Sequence, residues 1–533
     1  MKQNNKKFAN GERENRLNVL LDQIQQQRMQ PEDKYEVAAI IESFGWNDRL
    51  VAQAFGAGNV FELSEILWDS LKARVVCSPI AQITKIGFWH YLKLIISGFL
   101  RGTIFALPMA VSVVAMLTLR LSLWSYVNFS LENATSIAVG TILSFVAVGG
   151  FMQAIAHWGF RLLGMEQYYM ARKLVFYYVK IGYIICFLIA VAFLIFNFVF
   201  VVFPWQMAFI VAIYFLFLSV IWLSTTIMYI LQKELTFTGL IIGGIALVYI
   251  FFQVLHFGII ISQGIALSLV SVVGVLLARY FFLQAEKQME KGINPPLPRL
   301  SLVLNISLPF FSYGFLYFLF LFIDRVIAWS TNNIYMPFLI WFRGEYELGL
   351  DLALIVLILP MGLVEAVVTE MMVNLEGHQK KYMMYEIPDL NNMYKRMYLR
   401  RLAYVALFSA LNAVGLYLLI EALNKHGIFE SVLFFGGTTR FVFIWAVIAY
   451  AIVAVALLNA LILFFLARPK MAYRGVLLGL AVDLGLGFLL SRWVDYYWAV
   501  FGLLAGALVF AVVSSRQVLK VLKNLDYYLY SVS

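Results

Sequence analysis

Charge is scarce in this chain. Asp, Glu, Lys and Arg make up 13% of its 533 residues, about half the share usual in a soluble domain. Cysteine is scarcer still. Cys77 and Cys186 are the whole inventory, too few for a disulfide framework, and both read as reduced structural cysteines. The five histidines show no spacing suited to a metal, so no metal site is expected. There is no G-x-x-x-x-G-K loop followed by Ser or Thr to cradle ATP phosphates, and no G-x-S-x-G elbow to present a nucleophile. The polar first 90 residues hold no aspartate pair spaced for a sugar nucleotide and its metal. The expectation is therefore a protein that is not an enzyme, with no catalytic residue and no cofactor.

What the chain does have is apolar length. It is 62% hydrophobic with a mean hydropathy of +0.83, and apolar stretches long enough to cross a bilayer as helices recur throughout. Twelve spans are expected, near 94–118, 136–163, 174–201, 203–231, 236–257, 260–284, 301–328, 348–375, 402–423, 438–466, 470–491 and 495–516. Pro204 marks a tight turn between the third and fourth.

Charge tests that count. With an inner amino terminus, the inner loops and tail carry 21 Lys and Arg and the outer loops five; 12 more precede the first span, and Arg101 and Arg325 fall within spans. This is the asymmetry the positive-inside rule predicts, and one missed span would invert every later loop. The net charge of +10 is thus topological, and no nucleic-acid partner is called for. Both termini are expected in the cytoplasm, with the chain multi-pass in the cytoplasmic (inner) membrane of a bacterium and the lipid bilayer its first partner.

The second half echoes the first. QKELTFTGLIIGGIAL leads into the fifth span and ARPKMAYRGVLLGLAVD into the eleventh, aligning Gly239 with Gly475 and Gly243 with Gly479. GFMQA in the second span matches GLVEA in the eighth, pairing Gly150 with Gly362 and Gln153 with Glu365. FALP in the first is set against ISLP in the seventh, pairing Pro108 with Pro309. An even six-span offset gives a parallel repeat about an axis along the membrane normal. The expected fold is all-α: a polytopic membrane protein of two six-helix lobes with a small N-terminal cytoplasmic helical segment. The expected boundaries are 1–90 for that segment, 91–285 and 301–520 for the lobes, 286–300 for a cytoplasmic linker and 521–533 for a cytoplasmic tail.

This layout, with basic inner loops GMEQYYMARKLVFYYVK and GHQKKYMMYEIPDLNNMYKRMYLRR after the second and eighth spans, resembles the multidrug/oligosaccharidyl-lipid/polysaccharide (MOP) flippase superfamily. FIDRVIAWS (322–330) and YELGLDLALIVLILPMGLVEAVVTEMM (346–372) are similar to the inner-membrane subunit of Pel-type exopolysaccharide exporters. The resemblance implies alternating access, with export of a polysaccharide or a lipid-linked oligosaccharide. Two other readings stand beside it: a drug or small-metabolite exporter of the same fold, and a membrane scaffold for a glycosyltransferase that transports nothing.

A charge inside a bilayer costs several kcal/mol and usually faces a cavity or a partner. Asp483, alone in LGLAVDLGLGF, and Glu365 are the expected coupling groups; Gln153 and His157 are expected to line the transport cavity. Asp324 and Arg325 point about 100° apart on their helix, so each needs its own partner. They either end the span or form an outer gate closed between lobes. Arg101 is a candidate contact for a substrate phosphate. In the polar segment, residues 31–75 read as three short helices, ended by Gly45 and Gly56 and started by Asn47 and Asn59. They are either a cap under the lobes or a dock for a cytoplasmic glycosyltransferase. Residues 1–15 are expected to be disordered.

Overall fold

The computed structural model describes residues 16–24, 31, 33–75, 88–287, 299–331, 338–379, 387–426 and 436–530. The expected disorder at 1–15, Cys77 and the body of the linker lie outside them. The chain divides into two compact units, Met1–Ile86 and Gly87–Ser533.

The first unit is a set of short helices: α1 (16–24), α2 (Lys34–Ser43), α3 (Asp48–Phe55) and α4 (Val60–Val75). Their limits follow from capping. The Asn47 side chain accepts from the Leu50 N–H and Asn59 from Glu62, while Gly56 closes α3 in the left-handed region at φ 66°. Leu21, Ile41, Phe55, Leu63 and Leu67 form its small core.

The second unit is a bundle. Its helices are α5 (Phe88–Leu119), α6 (Leu131–Gly164), α7 (Tyr168–Phe200), α8 (Trp205–Ile230), α9 (Glu234–Tyr249), α10 (Ile259–Lys287), α11 (Leu300–Trp329), α12 (Gly344–Leu354), α13 (Ile358–Gln379), α14 (Ile387–Lys425), α15 (Gly437–Phe465), α16 (Pro469–Trp493), α17 (Val500–Lys523) and α18 (Leu525–Tyr530). A short 3₁₀ turn fuses α12 and α13 into one span, Gly344–Leu375. Among the described residues, eleven helices are long and apolar enough to cross a membrane; α5 is a twelfth once its two arms, which meet at 44°, are taken together. Pro108 accounts for the bend, because it has no N–H for the Ile104 carbonyl one turn back. At the turn before α8, Pro204 is the cap residue. Asn197 locks that turn by donating to the Phe203 carbonyl (2.9 Å) and accepting its N–H (2.8 Å).

The bundle has two halves, each with its own hydrophobic core. One core runs from Ala115 to Val303 and the other from Tyr313 to Leu525. Helix pairing repeats between them. In the first half α6 packs on α7 and α8, α7 on α8, α8 on α10, α9 on α10, and α5 on α9. In the second half, the fused α12–α13 packs on α14 and α15, α14 on α15, α15 on α17, α16 on α17, and α11 on α16. Each pair has its counterpart six spans on.

The halves meet at two crossings, α5 with α13 and α6 with α11. Both are built on glycine. A Cβ at Gly150 would lie 2.8 Å from the Phe311 carbonyl oxygen, and one at Gly314 would be driven into that of Gly149. A Cβ at Gly102 would lie 2.7 Å from the Met361 carbonyl oxygen, and one at Gly362 2.6 Å from that of Phe99. Backbones come this close only where no side chain intervenes.

These contacts correct the register of the repeat. Gly102 answers to Gly314 and Gly150 to Gly362, both 212 residues apart, and α5 and α11 begin 212 residues apart as well. The pairing of Pro108 with Pro309 is thus off by eleven residues. Three helical turns span nearly that length, so the false register kept the same face. The other glycine pair also divides. Gly479 packs on the Gly506 carbonyl and Phe510, whereas Gly239 and Gly243 touch nothing.

Gly314→Ala is expected to lower the yield of monodisperse protein in detergent and its melting temperature, because backbone has to move to admit the methyl group. Gly243→Ala is expected to be neutral or slightly stabilising. Size-exclusion profiles and thermal melts of the two variants check this.

Candidate functional site

Arg325 is the centre of a polar cluster buried in the second half. It lies on α11 with Phe322 and Trp329, at helical spacing, and its guanidinium sits over the Phe322 ring. Nη1 donates to Oε2 of Glu347 and, at 2.9 Å, to Oδ1 of Asp351. These two acids are four residues apart and so share a face of α12. Trp329 Nε1 donates to the other oxygen of Glu347 at 2.8 Å. Arg325 and Glu347 are each 5% exposed, while the Asp351 side chain is half exposed, so the cluster opens on that side.

Asp324 faces another way. Tyr346 donates its hydroxyl to Oδ2 at 2.9 Å, and Asp483 of α16 lies within electrostatic reach. Asp324 and Asp483 are both fully buried. Neither carboxylate oxygen of Asp483 has a hydrogen-bond partner. Close packing holds it there: a Cβ at Gly502 would lie 2.7 Å from Asp483 Oδ1, and one at Gly506 2.9 Å from its Cβ. The guanidinium thus has two carboxylates bonded to it and Asp324 within electrostatic reach, and Asp483 lies next to Asp324.

Asp324 and Arg325 have separate partners, Tyr346 for the one and Glu347 with Asp351 for the other. Neither residue ends the helix in water, since both are buried. Arg492 of α16 caps α11 instead, donating to the Ile327 carbonyl at 3.0 Å and to Ser330 Oγ at 2.7 Å. Nor do their contacts cross between halves as an outer gate would: Glu347, Asp351, Tyr346 and Asp483 all belong to the second half. The reason is local. The fused α12–α13 span folds back beside α11 and offers its acids before any group of the other half comes into reach.

The first half has no such cluster. At the 212-residue register, Ser112, Val113, Thr135 and Val139 stand where the second half has Asp324, Arg325, Glu347 and Asp351. Leu247 stands opposite Asp483.

The remaining residues gather where the halves meet. Glu365 lies at the α5–α13 crossing, its Cβ 3.0 Å from the Cβ position of Gly102. Arg101 is in electrostatic reach of it. Arg101 lies thirteen residues into α5, and its other carboxylate neighbour is Glu234 at the start of α9. Gln153 lies at the α6–α11 crossing against Gly314. His157 stacks on Phe310 at 3.8 Å, and its Nε2 is buried without a partner. Beside it, Trp158 Nε1 donates to Ser307 Oγ at 2.6 Å, and Tyr178 is also hydrogen-bonded to Ser307. The same seam carries Phe145, stacked on Trp222 (4.4 Å), Phe322 (5.2 Å) and Phe318 (5.5 Å).

Reading the sequence missed Glu347, Asp351 and Glu234 as members of these groups. The i, i+4 acids of YELGLD were a usable signal. Glu234 gave none, because its partner is remote in sequence.

No protein-family profile matches the chain, and no curated protein matches it in sequence. Solved structures do match in fold. A MOP superfamily transporter from Pyrococcus furiosus shares 14% identity at a TM-score of 0.54, covering 81% of this chain and 97% of its own. A Vibrio cholerae MATE transporter shares 15% at 0.54, covering 82% and 98%. A multidrug resistance MATE family transporter of the MOP superfamily, in its outward-facing conformation, shares 12% at 0.53, covering 81% and 98%. The all-helical, polytopic architecture expected from the sequence is therefore the MATE-type fold.

Removing one partner from a buried charge cluster leaves the others uncompensated. Arg325→Ala is expected to cost about 3–5 kcal/mol. Adding Glu347→Gln to it should recover part of that loss. Melting temperatures of the single and double variants in detergent check the sign of the coupling.

Proposed function

We propose that this chain is an alternating-access transporter of the cytoplasmic membrane, coupled to proton movement through Asp483 and Asp324. The observation that carries it is Asp483: a fully buried carboxyl group, both oxygens without a hydrogen-bond donor, beside a second buried acid. Such a group needs a proton or a cation as its partner, and it is costly to keep unless it has work to do. The fold supports the reading, since the structures it resembles are transporters. The absence of any counterpart in the first half also favours coupling over packing, because that half assembles the same helix pairs with Leu247 in this place.

The cargo we favour is a polysaccharide or a lipid-linked oligosaccharide, moved outward between the halves. This rests on the likeness of 322–330 and 346–372 to Pel-type exporters. A second reading has its own support. The ring seam of Phe145, Trp222, Phe318 and Phe322 between the halves suits a flat or apolar small molecule as well as a sugar face, so export of a drug-like compound remains the rival.

The test is deletion of the gene in its host, with extracellular polysaccharide and efflux of an aromatic dye both measured. Loss of polymer, restored by the wild-type gene but not by Asp483→Asn at equal membrane abundance, is the expected result. Loss of dye efflux with polymer intact selects the rival cargo. Full complementation of either activity by Asp483→Asn removes the coupling role.

A further inference from the structure

Residues 338–343, which lead into α12, join the two halves at the end of the bundle where α11 stops. They hold the second half by three contacts. The Trp341 N–H donates to the Trp329 carbonyl at 3.2 Å, Arg343 Nη2 donates to the Thr331 carbonyl at 3.2 Å, and the Arg343 guanidinium lies over the Tyr496 ring at 4.6 Å. They reach the first half by two. The Phe342 N–H donates to Oγ1 of Thr135 on α6 at 3.2 Å, and the Phe338 ring meets that of Phe203, just before α8, at 6.1 Å. Thr135 and Phe203 are both buried. The Phe338 and Trp341 rings stack at 5.4 Å, which packs the two ends of the segment together.

The duplication supplies a comparison. The link between α5 and α6 occupies the matching place in the first half, and it packs on its own half. Gln263 of α10 donates to the carbonyls of Ser122 and Ser125 at 3.2 and 3.1 Å, and Trp124 meets Trp222 edge-on at 5.6 Å. The helix pairing therefore does not impose a reach across the halves. The position of that reach matters as well. Phe145 lies ten residues beyond Thr135 on α6, about 15 Å along the axis, and Phe322 lies seven before Trp329 on α11. Residues 338–343 thus lie across one end of the ring seam between the halves.

Trp329 ties this segment to the buried charges. Its Nε1 donates to Oε1 of Glu347 at 2.8 Å, its carbonyl accepts from Trp341, and its ring packs on that of Phe342 at 5.7 Å. Trp329 itself is buried. The charged and titratable groups around Glu347 are Arg325 and Asp324 of α11, Asp351 and Tyr346 of its own helix, and Tyr450 of α15 beside Arg325.

We propose that residues 338–343 are a strap that closes one end of the seam by holding Thr135 and Phe203, and that Trp329 makes this grip depend on the charge of Glu347. A carboxylate holds the indole N–H about twice as strongly as a neutral acceptor does. Loss of the charge therefore frees Trp329, and with it Trp341 and Phe342. The strap then leaves Thr135 and stays with the second half. This biases a two-state equilibrium between a closed and an open seam. The inference rests on the reading of the chain as a transporter coupled through buried acids, but its test needs no cargo.

Leu131 and Leu339 are exposed and lie on either side of the contact. In a Cys77→Ser, Cys186→Ala background, both are changed to Cys and carry nitroxide labels. Pulsed EPR in nanodiscs then reads the separation of strap and α6. Thr135→Val removes the acceptor and keeps the shape. It is expected to raise the ratio of long to short distances about fivefold, the effect of losing one ordinary hydrogen bond. Thr135→Ser keeps the acceptor and is expected to match the parent. Glu347→Gln is expected to raise the ratio too, but not once Trp329→Phe is present. Unchanged distances in Thr135→Val overturn the strap, and so does an equal shift in Thr135→Ser. No shift with Glu347→Gln, or the same shift with and without Trp329→Phe, overturns the role of Trp329; a merely structural tryptophan would lower the melting temperature without abolishing that dependence. If Asp483→Asn leaves export intact while the distances shift as expected, the coupling proposal fails and the strap stands. If Asp483→Asn abolishes export and no variant moves the distances, the strap fails and the coupling stands.

Discussion

Everything in the membrane unit is arranged around two places where backbones touch. At Gly149, Gly150 and Gly314, and again at Gly102 and Gly362, the halves approach so closely that a single methyl group has no room. In a bilayer the hydrophobic effect does not drive helix to helix, so close packing of this kind carries the association. Each half buries its own apolar core, and the crossings are where the helices of the two halves pack most closely. They also fix which polar residues meet. Glu365 and Gln153 are brought to the seam because they sit one turn past a contact glycine.

The duplicated architecture serves as an internal control. Two halves that assemble the same helix pairs differ sharply in charge. Positions that hold Asp324, Arg325, Glu347, Asp351 and Asp483 in the second half hold Ser112, Val113, Thr135, Val139 and Leu247 in the first. Since the first half folds with the same pairing without these charges, the cluster is not a requirement of the fold. Three buried acids and one buried arginine cost stability unless their geometry is well satisfied. Arg325 meets part of that need through Glu347 and Asp351. Asp483 is left out of it, which is why it stands apart from a structural ion pair.

The residues expected to line and couple one transport cavity fall in two places: Asp483 beside Asp324 inside the second half, and Glu365, Gln153 and His157 where the halves meet. Asp324 and Arg325 act within the second half, where α12 supplies their partners. Glu365 and Gln153 lie instead at the crossings between the halves.

Composition, hydropathy and the bias of basic loops determined a great deal without coordinates: an all-helical membrane protein, twelve spans and a parallel duplication. Those properties follow from the cost of unpaired backbone and charge in a bilayer, which acts on every segment separately and so leaves its mark locally. The caps at Asn47 and Asn59 were legible for the same reason, since a cap and its N–H lie three residues apart. The need of Asp324 and Arg325 for separate partners also followed from helical geometry. Which partners they have did not. Glu347, Tyr346 and Asp483 reach them only after α12 and α16 pack beside α11, and Glu234 reaches Arg101 only where α9 meets α5. The register of the first and seventh spans escaped for a related reason: a shift of three helical turns preserves the face, and only the backbone contact between Gly102 and Gly362 tells the two apart. Tertiary structure decided what depends on contact across long sequence separations, because the pattern along one helix carries no information about which other helix lies against it.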